Sequence, residues 1–504
     1  MEMLQGIDSS AGLDVQLQNV WASYLKCKST SHSDHLSIEH LGLILENLFS
    51  LKTKKFDRVM PVSLKEGSPN LIVLPSHEVL PAVLSLYLDK THPLPGQDEV
   101  LMCTETTSAE EIELMWLRTI GDVRDNRQGK IYCLANAHLL KYAACQKLEQ
   151  CHLQFQSSPH AYRLVVICSE ANQDQSHTIN ILQAYRRQYS IMHSAQNIDE
   201  YLKAKFSEHS DDEGAWLADK DRSSVRIIKS LQAGVGKSLC VLRKHEEAKK
   251  HFDRVELVTV SLHEQRIDID MLVDILFDKM KSPRDPEPQI VQGDVDHVLF
   301  SMLVLGSLCH SSGRLWSKRP QDLYLVECLP LQRRRSNNTQ TDLQNVHAVL
   351  GLLPALICWS PEDSLRILRK DFKDVEQMYP AEKISLELDQ FMDQKLFESE
   401  VYQMPYDYLC ELHKQQSENT PEQCIEILLR FCGLRDPSWA ELHFFASFLH
   451  KQLKGYKESV FCSAHVADVL PGFREFVLKF LIQMSKDFST RSLTISEQNP
   501  AMNQ

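Results

Sequence analysis

A β-branched run (Val225, Ile227, Ile228) leads into Ala233-Gly234-Val235-Gly236-Lys237-Ser238-Leu239, and a helix-compatible run from Leu239 to His245 leaves it. Glycines at 234 and 236 let backbone N–H groups turn inward on an anion, and a helix starting here aims the positive end of its dipole at the same point. In loops of this kind the lysine reaches the β- and γ-phosphates and the hydroxyl ligates Mg²⁺, roles that fall to Lys237 and Ser238. The match is incomplete, because the first glycine of G-x-x-x-x-G-K-[ST] is replaced by Leu231. A chance Gly-Lys-Ser opening an ordinary helix is the alternative, and the strand-turn-helix context favours phosphate binding over it. A second acid completes the expectation. Asp294 ends the apolar run Gln289 to Gly293, where the Mg²⁺-orienting carboxylate of a P-loop nucleotidase belongs. It is equally placed to cap the helix that follows, and one residue can do both.

The elements that must position these residues follow from patterning. Residues 1–95 read as a helical packing region with one short strand, Leu71 to Leu74, and with a helix from Leu36 to Phe49. His32, His35 and His40 lack a carboxylate or cysteine partner at ligand spacing and imply no metal site. Between 96 and 206, strands at Glu99–Cys103, Lys130–Leu134 and Tyr162–Cys168 alternate with helices, the first opened by a capping box at Thr107 and Glu110. Its first strand-to-helix turn, Cys103 to Ser108, has neither glycine nor lysine. This predicts a degenerate relative of the following domain, without a phosphate loop, or else an unrelated α/β insert. An acidic linker is expected over 207–222 and a P-loop core over 223–360. The core's strands are predicted at the β-branched entry run, Val255–Leu262, Gln289–Gly293, Leu323–Cys328 and Pro354–Cys358, with a helix from Val298 to Cys309. Caps at Ser360-Pro361, Thr420-Pro421 and Pro437-Ser438 open a helical region over 361–490, and 491–504 reads as the end of a linker. The fold class is therefore α/β, with tandem P-loop-type modules, a parallel five-stranded sheet covered by helices on both faces, and a C-terminal all-helical lid. That is the layout of AAA+ ATPases.

Composition narrows the function classes. Against 68 acidic residues stand 55 basic ones, and the net charge of −13, with no long basic block, disfavours nucleic acid as a partner. Fourteen cysteines lie scattered without a C-x-x-C pair. Cys145, Cys151 and His152 have the wrong spacing for zinc and read as helix-buried groups, in keeping with a reducing compartment. No apolar run has membrane-spanning length, and no signal peptide is evident, so a cytosolic location is expected.

Several blocks carry a more specific resemblance. Ala233-Gly-Val-Gly-Lys-Ser-Leu239, Thr420-Pro-Glu-Gln-Cys424, Phe431-Cys-Gly433 and Pro437-Ser-Trp-Ala-Glu-Leu442 are similar to the mysterin family, the giant AAA+ RING-type E3 ubiquitin ligases. The resemblance runs from about residue 90 to the end. It implies a segment cut from a longer series of AAA+ modules, with ATP and Mg²⁺ as cofactors. Neighbouring modules of the same polypeptide are the implied partners, with the ubiquitin machinery reached through the parent protein and the lipid-droplet surface as a further location. The RING itself lies outside this chain. Hydrolysis in AAA+ units requires a glutamate directly after the Mg²⁺-orienting acid, and here that position is Val295. Loss of a general base costs roughly 10² to 10⁴ in rate, so the expectation is bound nucleotide with weak or no turnover. Asp296 is a weak substitute. Glu327, at the position that normally senses the γ-phosphate, is a weak catalytic candidate, and Arg333, Arg334 and Arg335 sit where an arginine finger is often found. The alternatives are an ATP-hydrolysing motor unit and, less compatible with the long helical region, a small-molecule kinase.

Overall fold

The computed structural model describes residues 57–124, 129–155, 162–189, 195–209, 213–219, 221–230, 233–253, 255–260, 262, 266–278, 292–328, 332–333, 343–344, 347–368, 397, 399–413, 420–435, 437–459, 469–470 and 472–498. The expected helix Leu36 to Phe49, the three early histidines, Leu231, Arg334 and Arg335 lie outside them.

Period-two burial builds the first sheet. It contains β1 (Ser68–Leu74), β2 (Val100–Met102), β3 (Tyr132–Ala135) and β4 (Arg163–Ser169), all parallel and ordered β1-β4-β3-β2. On β4, Val165 and Ile167 join one apolar cluster while Leu164, Val166 and Cys168 join another. Both faces are thus covered, which is the condition under which parallel strands are stable. Helices α1 (Val79–Ser85), α2 (Ala109–Arg124) and α3 (Tyr142–Phe155) supply the covering residues, and Cys145 and Cys151 are buried on α3 as expected. Two details differ from the sequence reading. The strand assigned to the N-terminal region pairs along its whole length with β4, so this sheet begins at Ser68 rather than after residue 95. The box that caps α2 is one residue later than expected: Glu111 N donates to Ser108 Oγ and Ser108 N donates to the Glu111 carboxylate.

A short helix α4 (His177–Leu182) and then α5 (Ala195–Phe206) carry the chain toward the second sheet. Tyr201 on α5 donates its hydroxyl to the Tyr87 carbonyl at 2.8 Å, and the Phe206 carbonyl accepts from Ser224 N at 2.9 Å. The cluster on one face of the first sheet continues through Ile198, Leu202 and Phe206 into Val225 and Ile227. The two sheets therefore share a core. The stretch expected as a solvated acidic linker is partly folded into it, with Trp216 buried and Asp219 only 3% exposed.

The second sheet holds β5 (Val225–Ser230) between two parallel neighbours at Tyr324–Glu327 and Ala355–Cys358. After β5 come α6 (Lys237–His251), β6 (Arg266–Asp268), α7 (Ile269–Asp278), β7 (Gln292–Asp294) and α8 (Val295–Leu299). Five strands were expected, and among the described residues this sheet has three. The run 255–260 is extended without ladder partners, and β7 pairs antiparallel with β6 in a separate ribbon. The helix expected from Val298 to Cys309 is instead one π turn, Phe300–Val304, running into an antiparallel pair, β8 (Ser307–Cys309) and β9 (Leu315–Ser317). The remaining strands are β10 (Tyr324–Glu327), a short pair β11 (Gln332–Arg333) and β12 (Leu343–Gln344), and, after α9 (Val349–Leu352), β13 (Ala355–Cys358).

The helical region follows as α10 (Pro361–Leu368), α11 (Glu400–His413), α12 (Pro421–Cys432), α13 (Trp439–Lys457) and α14 (Phe473–Gln498). Tyr406, Ile425, Leu428, Phe445 and Leu449 form the centre of its own core. Its caps are those read from sequence. Thr420 Oγ1 accepts from Gln423 N, and Ser438 with Glu441 forms a complete capping box at the start of α13.

One buried carboxylate ties the second sheet to its first helix. Asp219 accepts from Arg226 Nε on β5 at 3.0 Å, from Lys244 Nζ on α6 at 2.7 Å and from Ser223 N at 3.1 Å. Truncating one member of a buried ionic cluster leaves the others desolvated and unpaired. Asp219→Ala is therefore expected to lower folding stability by about 3–5 kcal/mol, with Asp219→Asn losing less; urea unfolding that shows both at wild-type stability would exclude the clamp.

Candidate functional site

The loop between β5 and α6 has the backbone that its glycines permit. Gly234 has φ +73° and Gly236 φ +90°, values that an L side chain adopts only at a cost. Gly236 occupies the N-cap position of α6, so the first-turn N–H groups of that helix face the loop. Val235 anchors the turn from below, 1% exposed and packed with Ile228, Cys240, Leu356 and Cys358. Ala233, Gly234, Ser238 and Leu239 remain exposed.

Lys237 is buried at the first position of α6 and donates to Ser230 Oγ at 2.8 Å. The ammonium is thereby held against the end of β5. Ser238 donates to both carboxylate oxygens of Glu327, at 3.0 and 2.9 Å. Glu327 is the last residue of β10, in register with Ile228 of β5, and is exposed where the strand ends. Below it the Cys328 thiol is pushed up to about 11 by burial, with Lys229 and Lys237 acting against that rise.

The helical region reaches the same turn. A Cβ added at Gly234 would lie 3.0 Å from Ser438 Cβ and Oγ, and Ala440 N donates to the Gly234 carbonyl at 3.4 Å. Trp439, beside them, donates its indole N–H to the Trp359 carbonyl at 2.8 Å and packs into the apolar cluster beneath the loop. The start of α13 therefore rests on the phosphate-type loop.

The predicted residues from Ala233 to Leu239 thus form one turn, and Glu327 joins them. Asp294 does not. It ends β7, whose only ladder among the described residues is with β6, and it is exposed at the N-cap position of α8 without a side-chain cap bond. The carboxylate brought to Ser238 is Glu327 instead. Val295 is a core residue, 7% exposed. Asp296 accepts from Ala348 N at 3.1 Å and Val349 N at 2.9 Å, so it caps α9. Burial pushes its carboxyl up from the usual range, against these two bonds and against His347. Neither the Ser230 bond to Lys237 nor the seat of Ser438 on Gly234 was foreseen. Ser230 was visible as the last residue of the entry strand, whereas the Ser438 contact spans two hundred residues and has no local signal.

The corresponding turn of the first sheet is closed on itself. Thr104 N donates to Thr107 Oγ1 at 2.8 Å, Thr106 N to Thr104 Oγ1 at 3.2 Å, and Ser108 N to the Glu111 carboxylate at 2.7 Å. Donors that a phosphate would need are consumed by the turn's own side chains.

Residues 69–187 and 219–365, together more than half of the chain, each match a family model described as an RNF213 AAA domain. The chain belongs to the RNF213 (mysterin) family. The first match takes in the first sheet, and the second takes in the glycine-lysine loop, Glu327 and β13. Among RNF213 relatives, the zebrafish (Danio rerio) E3 ubiquitin-protein ligase rnf213-beta is 33% identical over 506 residues, covering 96% of the chain. The mouse (Mus musculus) and human (Homo sapiens) E3 ubiquitin-protein ligases RNF213 are 32% and 30% identical over 98% and 96% of it. The chain spans about 10% of the length of each of these RNF213 proteins. No helix among the described residues is long and apolar enough to cross a membrane.

Two outcomes test this geometry. Gly234→Ala places a Cβ at positive φ against Ser438 and is expected to cost about 1–2 kcal/mol in urea unfolding; wild-type stability would mean that the turn is not left-handed there. His297 on α8 is pushed down to about 4 from 6.5 by burial, with Asp294 opposing. Between those values the unfolded chain binds more protons, so this stability is complete above pH 6.5 and drains away as pH falls toward 4. Thermal melts of His297→Leu should show a flatter acid limb than the wild type, and parallel limbs would refute the assignment.

Proposed function

We propose that the second AAA module binds ATP with Mg²⁺ and holds it chiefly as a structural or regulatory element, as part of a larger ubiquitin ligase. The observation that carries this reading is the turn itself: two glycines at positive φ, a buried lysine opening the helix and an exposed hydroxyl beside it. Lys237 would neutralise the β- and γ-phosphates, and the α6 N–H groups would bind their oxygens. The oxygen donors at Ser238 and Glu327 fit a hard cation such as Mg²⁺, which is usually bound through one or two carboxylates plus phosphates and waters. When bound, the ion would screen the triphosphate charge. Adenine as the base rests on family membership, since phosphate contacts ignore it.

Weak turnover is supported by what the neighbouring acids already do. Val295 stands in the core where the water-activating glutamate would be, and Asp296 is committed to capping α9. Because Ser438 and Ala440 contact Gly234, ligand in the loop would brace the sheet against α13. Ubiquitin transfer belongs to the parent ligase, as the names of the relatives indicate, and a cytosolic or lipid-droplet setting is part of the same proposal. The second reading, an ATP-hydrolysing motor unit, is favoured by one observation, the exposed Glu327 carboxylate at the loop.

Titration with a fluorescent ATP analogue in Mg²⁺ is expected to show saturable binding that Lys237→Ala weakens about 10- to 100-fold, the range for losing a charge-assisted contact. Single-turnover assays should release little phosphate. Absence of binding by the wild type would sink the reading, and Lys237-dependent release at rates of active AAA+ units would establish the motor instead.

A further inference from the structure

We infer that Glu327, not Asp294, is the carboxylate that positions the divalent cation in this nucleotide site, so that the metal is held between strand β10 and the first turn of α6. The inference rests on the nucleotide reading above and adds to it which acid serves the metal.

The argument begins with spacing. Mg²⁺ takes oxygen ligands at about 2.0–2.1 Å in near-octahedral geometry, which puts adjacent ligand oxygens about 2.9 Å apart. Glu327 Oε2 and Oε1 lie 2.9 and 3.0 Å from Ser238 Oγ, so either pair spans one edge of such an octahedron. The hydrogen bond between them holds the hydroxyl and the acid at that spacing. Both side chains are exposed, leaving room for the waters that Mg²⁺ retains. Lys237, by contrast, is buried and directed to Ser230, so cation and ammonium approach the phosphates from different sides of the turn.

Backbone register explains why this acid can serve. β10 is the direct neighbour of β5, with Glu327 opposite Ile228 and the Cys328 N–H bonded to the Ile228 carbonyl at 3.0 Å. Its position relative to the loop is therefore fixed by the ladder. Asp294 has no such tie. Its ribbon partner is β6, and its nearest charged influences are on its own helix, where it acts on His297 and Asp296.

The metal dependence of nucleotide affinity separates the two acids, because a metal-positioning carboxylate has opposite effects with and without the ion. With Mg²⁺ it attracts the complex; with EDTA it repels the bare triphosphate. Titrating a fluorescent ATP analogue into the full chain, we expect Glu327→Gln to weaken binding at least about 10-fold in Mg²⁺, and to bind as tightly as the wild type or tighter in EDTA. Asp294→Asn should follow the wild type in both. Equal losses for Glu327→Gln in Mg²⁺ and EDTA would reduce Glu327 to a fold element and overturn the assignment. So would retention of the Mg²⁺ enhancement in Glu327→Gln together with its loss in Asp294→Asn. Wild-type chain that binds nucleotide in neither condition would remove the nucleotide reading itself, a result distinct from either of these.

Discussion

Asp219 sits where three parts of the second module meet. Arg226 comes from the strand that enters the loop, Lys244 from the helix that leaves it, and Ser223 from the approach to β5. A P-loop functions as a cradle only if strand and helix diverge from it at a fixed distance, since the glycines between them impose no geometry of their own. One carboxylate, 3% exposed and accepting from both sides, supplies that constraint. Arg226 extends the tie to Asp221, which Lys203 on α5 also holds at 2.8 Å. Burial alone would raise the Asp221 carboxyl, and these two cations hold it below its usual value. The charge network therefore continues from the loop's flanks into the helix that joins the two sheets.

Sequence made some of this legible and hid the rest for identifiable reasons. Helix starts were read well because their determinants are local: Ser360, Thr420 and Ser438 each accept from an N–H three residues on, and Pro361 and Pro421 fix the first turn. The β5–loop–α6 unit was read for the same reason, its glycines and lysine lying within one turn of each other. Strand partnership was not. An apolar run such as Val255 to Leu262 predicts extension, and extension is what 255–260 has, but no neighbouring strand closes a ladder with it. The Gln292–Asp294 run was placed in the sheet on hydropathy alone, and its actual partner, Arg266–Asp268, is polar and lacked a strand signal. The acid expected at the loop moved with that strand. The linker assignment failed differently: charge density near 208–213 implied solvent, whereas the two acids that matter, Asp219 and Asp221, are paired by cations distant in sequence.

The two modules of this RNF213 family segment show one architecture with opposite treatment of the strand-to-helix turn. In the first, threonine hydroxyls and Glu111 take up the N–H groups of Thr104, Thr106 and Ser108. In the second, Gly234 and Gly236 carry no side chain that can do so, and the turn stays open on one side while Ser438 and Ala440 close the other. The difference is chemical economy at the backbone. A turn that satisfies its own donors is stable without a ligand, whereas a glycine turn has donors that an anion satisfies well.

The blocks that carry the family resemblance outside the loop fall at helix ends, and this bears on how the site and the bundle are related. Thr420 to Cys424 starts α12, Gly433 ends it with φ +75°, and Pro437 to Leu442 starts α13. These residues fix where α13 begins, and its beginning is what touches Gly234. A shift of α13 by one residue along its axis moves its end by about 1.5 Å, comparable to the slack in a 3.0 Å contact. Capping chemistry in the bundle thus sets the distance between bundle and loop. On the reading proposed here, occupancy of the loop and seating of α13 are then one equilibrium, and a site whose neighbouring acids cap helices rather than activate water is suited to holding that equilibrium on one side.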